Sequence, residues 1–84
     1  MEIAVGEVIK WGEECRLGVI SKIRLIDSAK FVEKFSGDPQ TVHLVIESAM
    51  GAASVWAKNV RIEKTNDHEA KEFKSLVIKK HPKT

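Results

Sequence analysis

The chain has 84 residues, a formal net charge of +2, 43% hydrophobic residues and 31% charged residues. This composition excludes a disordered chain and predicts one small domain, which we place at residues 1–80, with a flexible basic tail at 81–84. The single cysteine, Cys15, excludes an internal disulfide and favours a cytoplasmic location, and no apolar run has the ~18 residues of a membrane span.

The first third of the chain has the alternating pattern of β-strands. Residues 3–10 predict one strand and residues 15–26 predict a longer one. The predicted core face of the longer strand consists of Cys15, Leu17, Val19, Ser21, Ile23 and Leu25. Its predicted basic face consists of Arg16, Gly18, Ile20, Lys22, Arg24 and Ile26. Gly18 interrupts this run and predicts a bend or a bulge at that position.

A helical period replaces the alternation at residues 28–35. An Asp-Ser pair precedes this segment as a suitable N-cap, and Gly37 follows it as a suitable C-cap. Phe31 and Phe35 are four residues apart, so that a helix would place both on one face, against the core. The sequence therefore predicts a short first helix here.

Two strands and a hairpin are predicted in the middle of the chain, with a helix as the open alternative. Residues 41–48 are almost continuously apolar, which predicts a central strand. A turn of small residues follows, and residues 54–64 predict the returning strand. The alanines and apolar spacing of residues 45–60 also fit a helix, but Gly51 and the shortage of strong helix formers favour the hairpin.

The last predicted element is a helix over residues 67–80. An Asn-Asp pair at its start is a suitable cap, and Ala70, Phe73 and Val77 would form its apolar stripe. Together the segments predict an α+β fold of order ββαββα. Its mainly antiparallel sheet of four or five strands would either curl into a partial OB-like or SH3-like barrel or stay an open two-layer sheet, and neither architecture by itself indicates a function.

The sequence carries no pattern typical of catalysis, metal binding or cofactor binding. His43, His68 and His81 are scattered, no nucleophile motif accompanies them, and they lack the paired spacing of a zinc site. Phosphate-binding and dinucleotide-binding glycine motifs are absent from the sequence. We therefore expect a non-enzymatic protein without a metal ion or a cofactor.

Single-stranded nucleic acid is the partner that the basic and aromatic residues favour. Such binding needs cations for the phosphates and flat aromatic side chains for the bases. The predicted nucleic-acid-binding residues are Arg16, Lys22, Arg24, Lys58 and Trp56. A second interpretation of Trp56 is open, because Val60 and Ile62 would share its face in an extended strand and would favour its burial in the core.

The alternative function is a protein-interaction or self-assembling adaptor, such as a small regulator or inhibitor. Its predicted interface residues are Trp11, expected at a rim of the fold, and Gly51 and Ala52 in the small-residue turn. An unpaired strand edge would supply the other contacts, either with a protein partner or within a homodimer. The sequence thus leaves two kinds of binding protein open.

Overall fold

The computed structural model describes the backbone of residues 1–80 and the side chains of residues 1–75. The strands are β1 (Glu2–Ala4), β2 (Val8–Trp11), β3 (Arg16–Leu25), β4 (Lys30–Val32), β5 (Lys34–Ser36), β6 (Val42–Ser48), β7 (Gly51–Trp56) and β8 (Ile62–Lys64). They are followed by one α-helix, α1 (Asp67–Lys80), and two 3-10 turns lie at Pro39–Thr41 and Ala57–Asn59. The predicted basic tail at 81–84 lies outside the described residues.

The strands form an antiparallel sheet and a separate strand pair. The sheet has the order β7-β6-β3-β2-β8, and β4 also pairs with β3, while β1 pairs with β5. On one side, β3 is long enough to pair with two strands. Its N-terminal half pairs with β2, and its C-terminal half pairs with β4. The prediction of a mainly antiparallel α+β domain is confirmed, whereas its strand number, helix number and element order are wrong.

The core lies on one face of this sheet, which we call the inner face. Its fully buried side chains come mainly from β2, β3 and β6, and they are Ile9, Ile20, Ile23, Val42, Leu44 and Ile46. Cross-strand register explains the clustering, since Ile20 lies opposite Ile46 and Ile23 lies opposite Leu44. Branched aliphatic residues pack well on a pleated surface, and each fully buried one contributes roughly 1.5–3 kcal/mol.

A β-bulge in β3 decides which of its side chains face the core. The register with β6 shifts between Ile20 and Lys22, so that Ser21 is the extra residue. Ile20 and Ile23 are consequently both buried, while Lys22 faces the opposite side. The sequence predicts the bend or bulge at Gly18 and predicts that Ile20 and Lys22 share one face of the strand. Both predictions are wrong, because the bulge lies at Ser21, three residues after Gly18.

The first predicted helix, at residues 28–35, is wrong. The chain turns after β3, with Ala29 at a φ of 55°, and then forms β4 and β5. Phe31 lies opposite Arg24 in β3, whereas Phe35 lies opposite Ile3 in β1. Pairing with two different strands separates the rings, so that Phe35 packs against the core and Phe31 is exposed.

The hairpin interpretation of the middle segment is confirmed by the pairing of β6 with β7. The returning strand nevertheless ends at Trp56, not at residue 64. The 3-10 turn at Ala57–Asn59 redirects the chain, and Ile62 then pairs with Trp11 in β2. The prediction that Trp56 shares one strand face with Ile62 is therefore wrong.

The C-terminal helix is confirmed with the predicted bounds. Asn66 and Glu69 form a capping box, in which the Glu69 amide donates to Asn66 Oδ1 at 2.8 Å and the Asn66 amide donates to Glu69 Oε1 at 3.3 Å. The predicted stripe residue Val77 lies beyond the described side chains. Within residues 1–80, no helix has both the length and the apolar character that a membrane crossing requires.

Candidate functional site

The face of the sheet opposite the core, which we call the outer face, has a covered half and an open half. The helix α1 packs against β2 on the covered half. Val8 there is 4% exposed and lies opposite Val19, and Phe73 of α1 is also 4% exposed. Lys10 Nζ lies 2.8 Å from the Glu69 carboxylate and ties β2 to α1.

The open half of the outer face carries a row of large side chains across four neighbouring strands, which we call the aromatic–basic row. Phe31 of β4 lies opposite Arg24 of β3, Arg24 lies opposite His43 of β6, and His43 lies opposite Trp56 of β7. Directly opposite residues in antiparallel strands point to the same side of the sheet. The row therefore spans three strand spacings, or about 14 Å.

The aromatic rings in this row are accessible. Phe31 is 64% exposed and Trp56 is 39% exposed. The rings of His43 and Trp56 meet edge to face, with 5.3 Å between their centroids and an interplanar angle of 74°. The favoured burial of Trp56 in the core is wrong, because Trp56 lies opposite His43 on the outer face and its side chain points away from the core. Neighbouring Val55, on the inner face, packs against the core in its place.

Three cations flank the two exposed rings. Lys22 Nζ and Arg24 Cζ each lie 5.9 Å from the centroid of Phe31, and Lys58 Nζ lies 5.6 Å from that of Trp56. Within the described part of the chain, none of the three forms a salt bridge. Their charges are thus available to an anionic partner, since a ring contact within about 6 Å does not neutralise a cation.

Four of the five predicted nucleic-acid-binding residues meet at this site, and Arg16 does not. Lys22, Arg24, Lys58 and Trp56 belong to the open half. Arg16 lies six residues before Lys22 in β3, about 20 Å away along an extended strand. Its guanidinium is bound to the Glu14 carboxylate at 2.6 Å. The structure therefore separates Arg16 from the aromatic–basic row.

The predicted interface residues are distributed over two strands. Trp11 lies in β2, between β3 and β8, and packs against the core. It is thus not a rim residue, and its role as an interface anchor stays a prediction. Gly51 and Ala52 are the first residues of β7, not part of the preceding turn, and both are exposed. In the part of the chain that the structure describes, β7 pairs with β6 alone and forms one edge of the sheet.

Sequence reasoning missed Phe31 and His43 as members of the site. Phe31 is assigned to a helix by its spacing from Phe35, and His43 is interpreted as an ordinary cross-strand residue. A signal for Phe31 exists in the sequence, because the phenylalanine and the valine that are adjacent in Lys30–Val32 are both enriched in strands. His43 could have been found only from its register with Arg24 and Trp56.

In the described residues, neither the clefts nor the side chains of metal-binding type form a reactive centre. One cleft of about 770 Å³ runs along β1 and β5 and has both acidic and basic walls, including Glu2, Glu7 and Lys34. A smaller cleft of about 290 Å³ adjoins Phe31 and Lys22. Among the described residues, no group of three or more His, Cys, Asp and Glu side chains could hold a metal ion.

Comparisons with known proteins give no match. Neither a protein-family model, nor a curated protein, nor a solved structure matches this chain. The outer face of the sheet must therefore be interpreted from its own geometry.

Proposed function

We propose that this chain is a small non-catalytic module that binds single-stranded nucleic acid on the open half of its outer face. The observation that carries the proposal is the aromatic–basic row, in which Phe31 and Trp56 stand at the two ends and Arg24 lies between them. Bases stack on exposed rings, and cations beside the rings hold the phosphates. Both requirements are met on one surface by neighbouring strands.

The size of the row fits a short single strand. Its length of about 14 Å suits a strand of a few nucleotides, with one base stacked on each of the two terminal rings. Each base that stacks on an aromatic side chain contributes about 1–3 kcal/mol. Phosphate contacts by Lys22, Arg24 and Lys58 would add the electrostatic part of the affinity. Sequence preference is expected to be weak, because every base has a flat face.

Two acidic residues border the row. Glu47 lies on the outer face of β6, four residues beyond His43, and Glu33 follows Phe31 by two residues. A phosphate backbone would be repelled at these two positions. The proposed path therefore crosses the strands along the row and does not run along β6 towards Glu47.

The experiment is a titration of a fluorescent single-stranded oligonucleotide of about ten nucleotides, at several salt concentrations. Phe31→Ala should weaken binding roughly 5- to 150-fold, because one stacking platform of about 1–3 kcal/mol is lost. Arg24→Ala should weaken binding and also lower the slope of log affinity against log salt by about 0.7 for the lost phosphate contact.

Arg61→Ala is the matched control, because it removes the same charge from an exposed arginine that pairs with Glu63 outside the row. It should leave the affinity nearly unchanged. No measurable binding at low salt would contradict the proposal. An equal loss of affinity in Arg61→Ala and Arg24→Ala would also contradict it, since it would show attraction by net charge without a defined site.

A further inference from the structure

The two edges of the main sheet differ in how well they are protected against pairing with another strand. The edge strand β8 has three residues, two of them charged, and Lys64 Nζ binds both the Glu7 carboxylate and the Glu2 carbonyl oxygen. Short length and charge are the usual means by which proteins block an edge. At β8, the edge of the sheet is therefore closed to a further strand.

The opposite edge, β7, has none of these protections. It runs for six residues, Gly51–Trp56, and contains no charged residue and no proline. Met50, directly before it, is 90% exposed, and Trp56, its last residue, is 39% exposed. An uncharged edge of this length with exposed apolar side chains at both ends presents unpaired backbone groups to a further strand.

We propose that β7 pairs with β7 of a second copy of this chain, in an antiparallel homodimer with its two-fold axis at Ala53. Two-fold pairing about an axis perpendicular to the sheet keeps the outer faces of both copies on the same side. Residues opposite each other must then both be even-numbered or both odd-numbered, since faces alternate along a strand. The axis consequently passes between one residue and the same residue of the other copy, so that this residue lies opposite itself.

The choice of Ala53 follows from the exposed side chains at the ends of the strand. With the axis at Ala53, Trp56 of each copy lies beside Met50 of the other copy, the turn residue directly before its β7, and this contact forms twice. Ala52 then lies opposite Ser54, and Gly51 lies opposite Val55. An axis at Ser54 would place Trp56 opposite Ala52 and leave Met50 without a partner.

A second copy fits this edge better than a foreign strand does. β7 carries no charge that could select a charged partner, and the small side chains of residues 51–54 would leave room for the same segment of a second copy. Self-pairing also satisfies the unpaired backbone groups of both edges at once. The dimer does not depend on nucleic-acid binding, although it would join the open outer faces of the two copies into one surface.

Cysteine cross-linking tests the proposed register on the full chain. In a Cys15→Ser background, which removes the exposed native thiol, Ala53→Cys should form an intermolecular disulfide under mild oxidation. On the axis the two α-carbons would be about 4.5–5.5 Å apart, within disulfide range. Ala52→Cys is the matched control, because its two α-carbons would be about 8 Å apart and should not cross-link readily.

Sedimentation equilibrium without nucleic acid tests the dimer itself. The wild-type chain should show a concentration-dependent monomer–dimer equilibrium. The double variant Ala52→Lys with Ser54→Lys places like charges opposite each other across the axis and should be monomeric. Ala52→Lys with Ser54→Glu places opposite charges at the same positions and should dimerise, which distinguishes a lost interface from a lost fold.

Three results would overturn the proposal. These are a wild-type chain that stays monomeric up to about 1 mM, a lysine pair that still dimerises, and equal cross-linking at positions 52 and 53. Because these assays contain no nucleic acid, their failure would leave the binding proposal for the aromatic–basic row standing.

Discussion

Gly18 is the residue that lets Trp11 pack across the sheet. A β-carbon added at Gly18 would clash with Ile46 Cγ2 and would lie 2.9 Å from Trp11 Nε1 and 3.3 Å from the Glu47 carbonyl oxygen. Both Gly18 and Ile46 are buried on the inner face. The absence of a side chain therefore serves close packing between β2, β3 and β6.

We expect Gly18→Ala to destabilise the fold by about 1–3 kcal/mol, because an extra methyl group overpacks a filled core. Urea denaturation followed by circular dichroism gives the measurement. Ile46→Leu removes the γ2 methyl that meets the new β-carbon. The combination of both changes should therefore cost less than the sum of the single changes. Additive costs would show that Ile46 is not the group in conflict.

Phe31 and Phe35 show at the same scale where sequence reasoning reaches its limit. Their spacing of four residues predicts a shared helical face. In the structure, however, Phe31 lies in β4 and Phe35 lies in β5, and these strands pair with different neighbours. The local sequence contains a signal for each structure, and only pairing with β1 and β3 decides between them. The exposed ring of Phe31, which the proposed function needs, is a result of that decision.

At the scale of elements, a hydrogen-bonded charge pair between Lys10 and Glu69 links α1 to β2. A hydrogen bond and the charge of Glu69 raise the pKa of Lys10 above its ordinary value of 10.5. Hydrogen bonds from Lys10 and from the Asn66 amide lower the pKa of Glu69 below its ordinary value of 4.5. The charged forms of both groups are thus favoured by folding.

The contribution of this pair to stability should be confined to a window of pH. A lowered carboxyl pKa gives stability above pH 4.5 that is lost as the pH falls through the folded value. A raised lysine pKa gives stability below pH 10.5 that is lost as the pH rises through the folded value. Both groups contribute together between these limits.

Glu69→Gln tests the window, because glutamine keeps an oxygen for the Asn66 amide and removes only the charge. Thermal melts over a pH series should show a lower Tm for the variant near neutral pH. The two melting curves should converge as the pH falls through the lowered pKa of Glu69, where the carboxyl of the wild type becomes protonated. A constant Tm difference down to acidic pH would contradict the role of the charge pair.

Across the whole molecule, α1 divides the outer face of the sheet into two halves with different roles. Phe73 of α1 is 4% exposed on the covered half, whereas Phe31 is 64% exposed on the open half. Neither belongs to the main core cluster. A phenylalanine side chain therefore stabilises the fold in the covered half, whereas a phenylalanine side chain in the open half remains available for binding.

Phe73→Ala and Phe31→Ala form a matched pair that tests this division. Truncation of the buried ring at Phe73 should cost about 3–5 kcal/mol of unfolding free energy. Truncation of the exposed ring at Phe31 should change it by less than about 0.5 kcal/mol. Chemical denaturation of both variants under one condition gives the comparison. Similar losses in both variants would show that Phe31 also supports the fold.

The sequence by itself determined the elements whose signals are local. The C-terminal helix is predicted with its observed bounds because a capping pair and an apolar stripe mark it. The hairpin of β6 and β7 is predicted because Gly51 interrupts the competing helix. The basic character of β3 around Lys22 and Arg24 is also read directly from the sequence.

Only the tertiary structure decided the composition of the candidate site. The bulge at Ser21 moved Ile20 into the core, and the pairing of Trp56 with His43 left its ring on the outer face. Register then brought Phe31 and His43 beside Arg24. Bulges, strand ends and register depend on contacts between residues far apart in the chain, so a local pattern in one segment does not specify them.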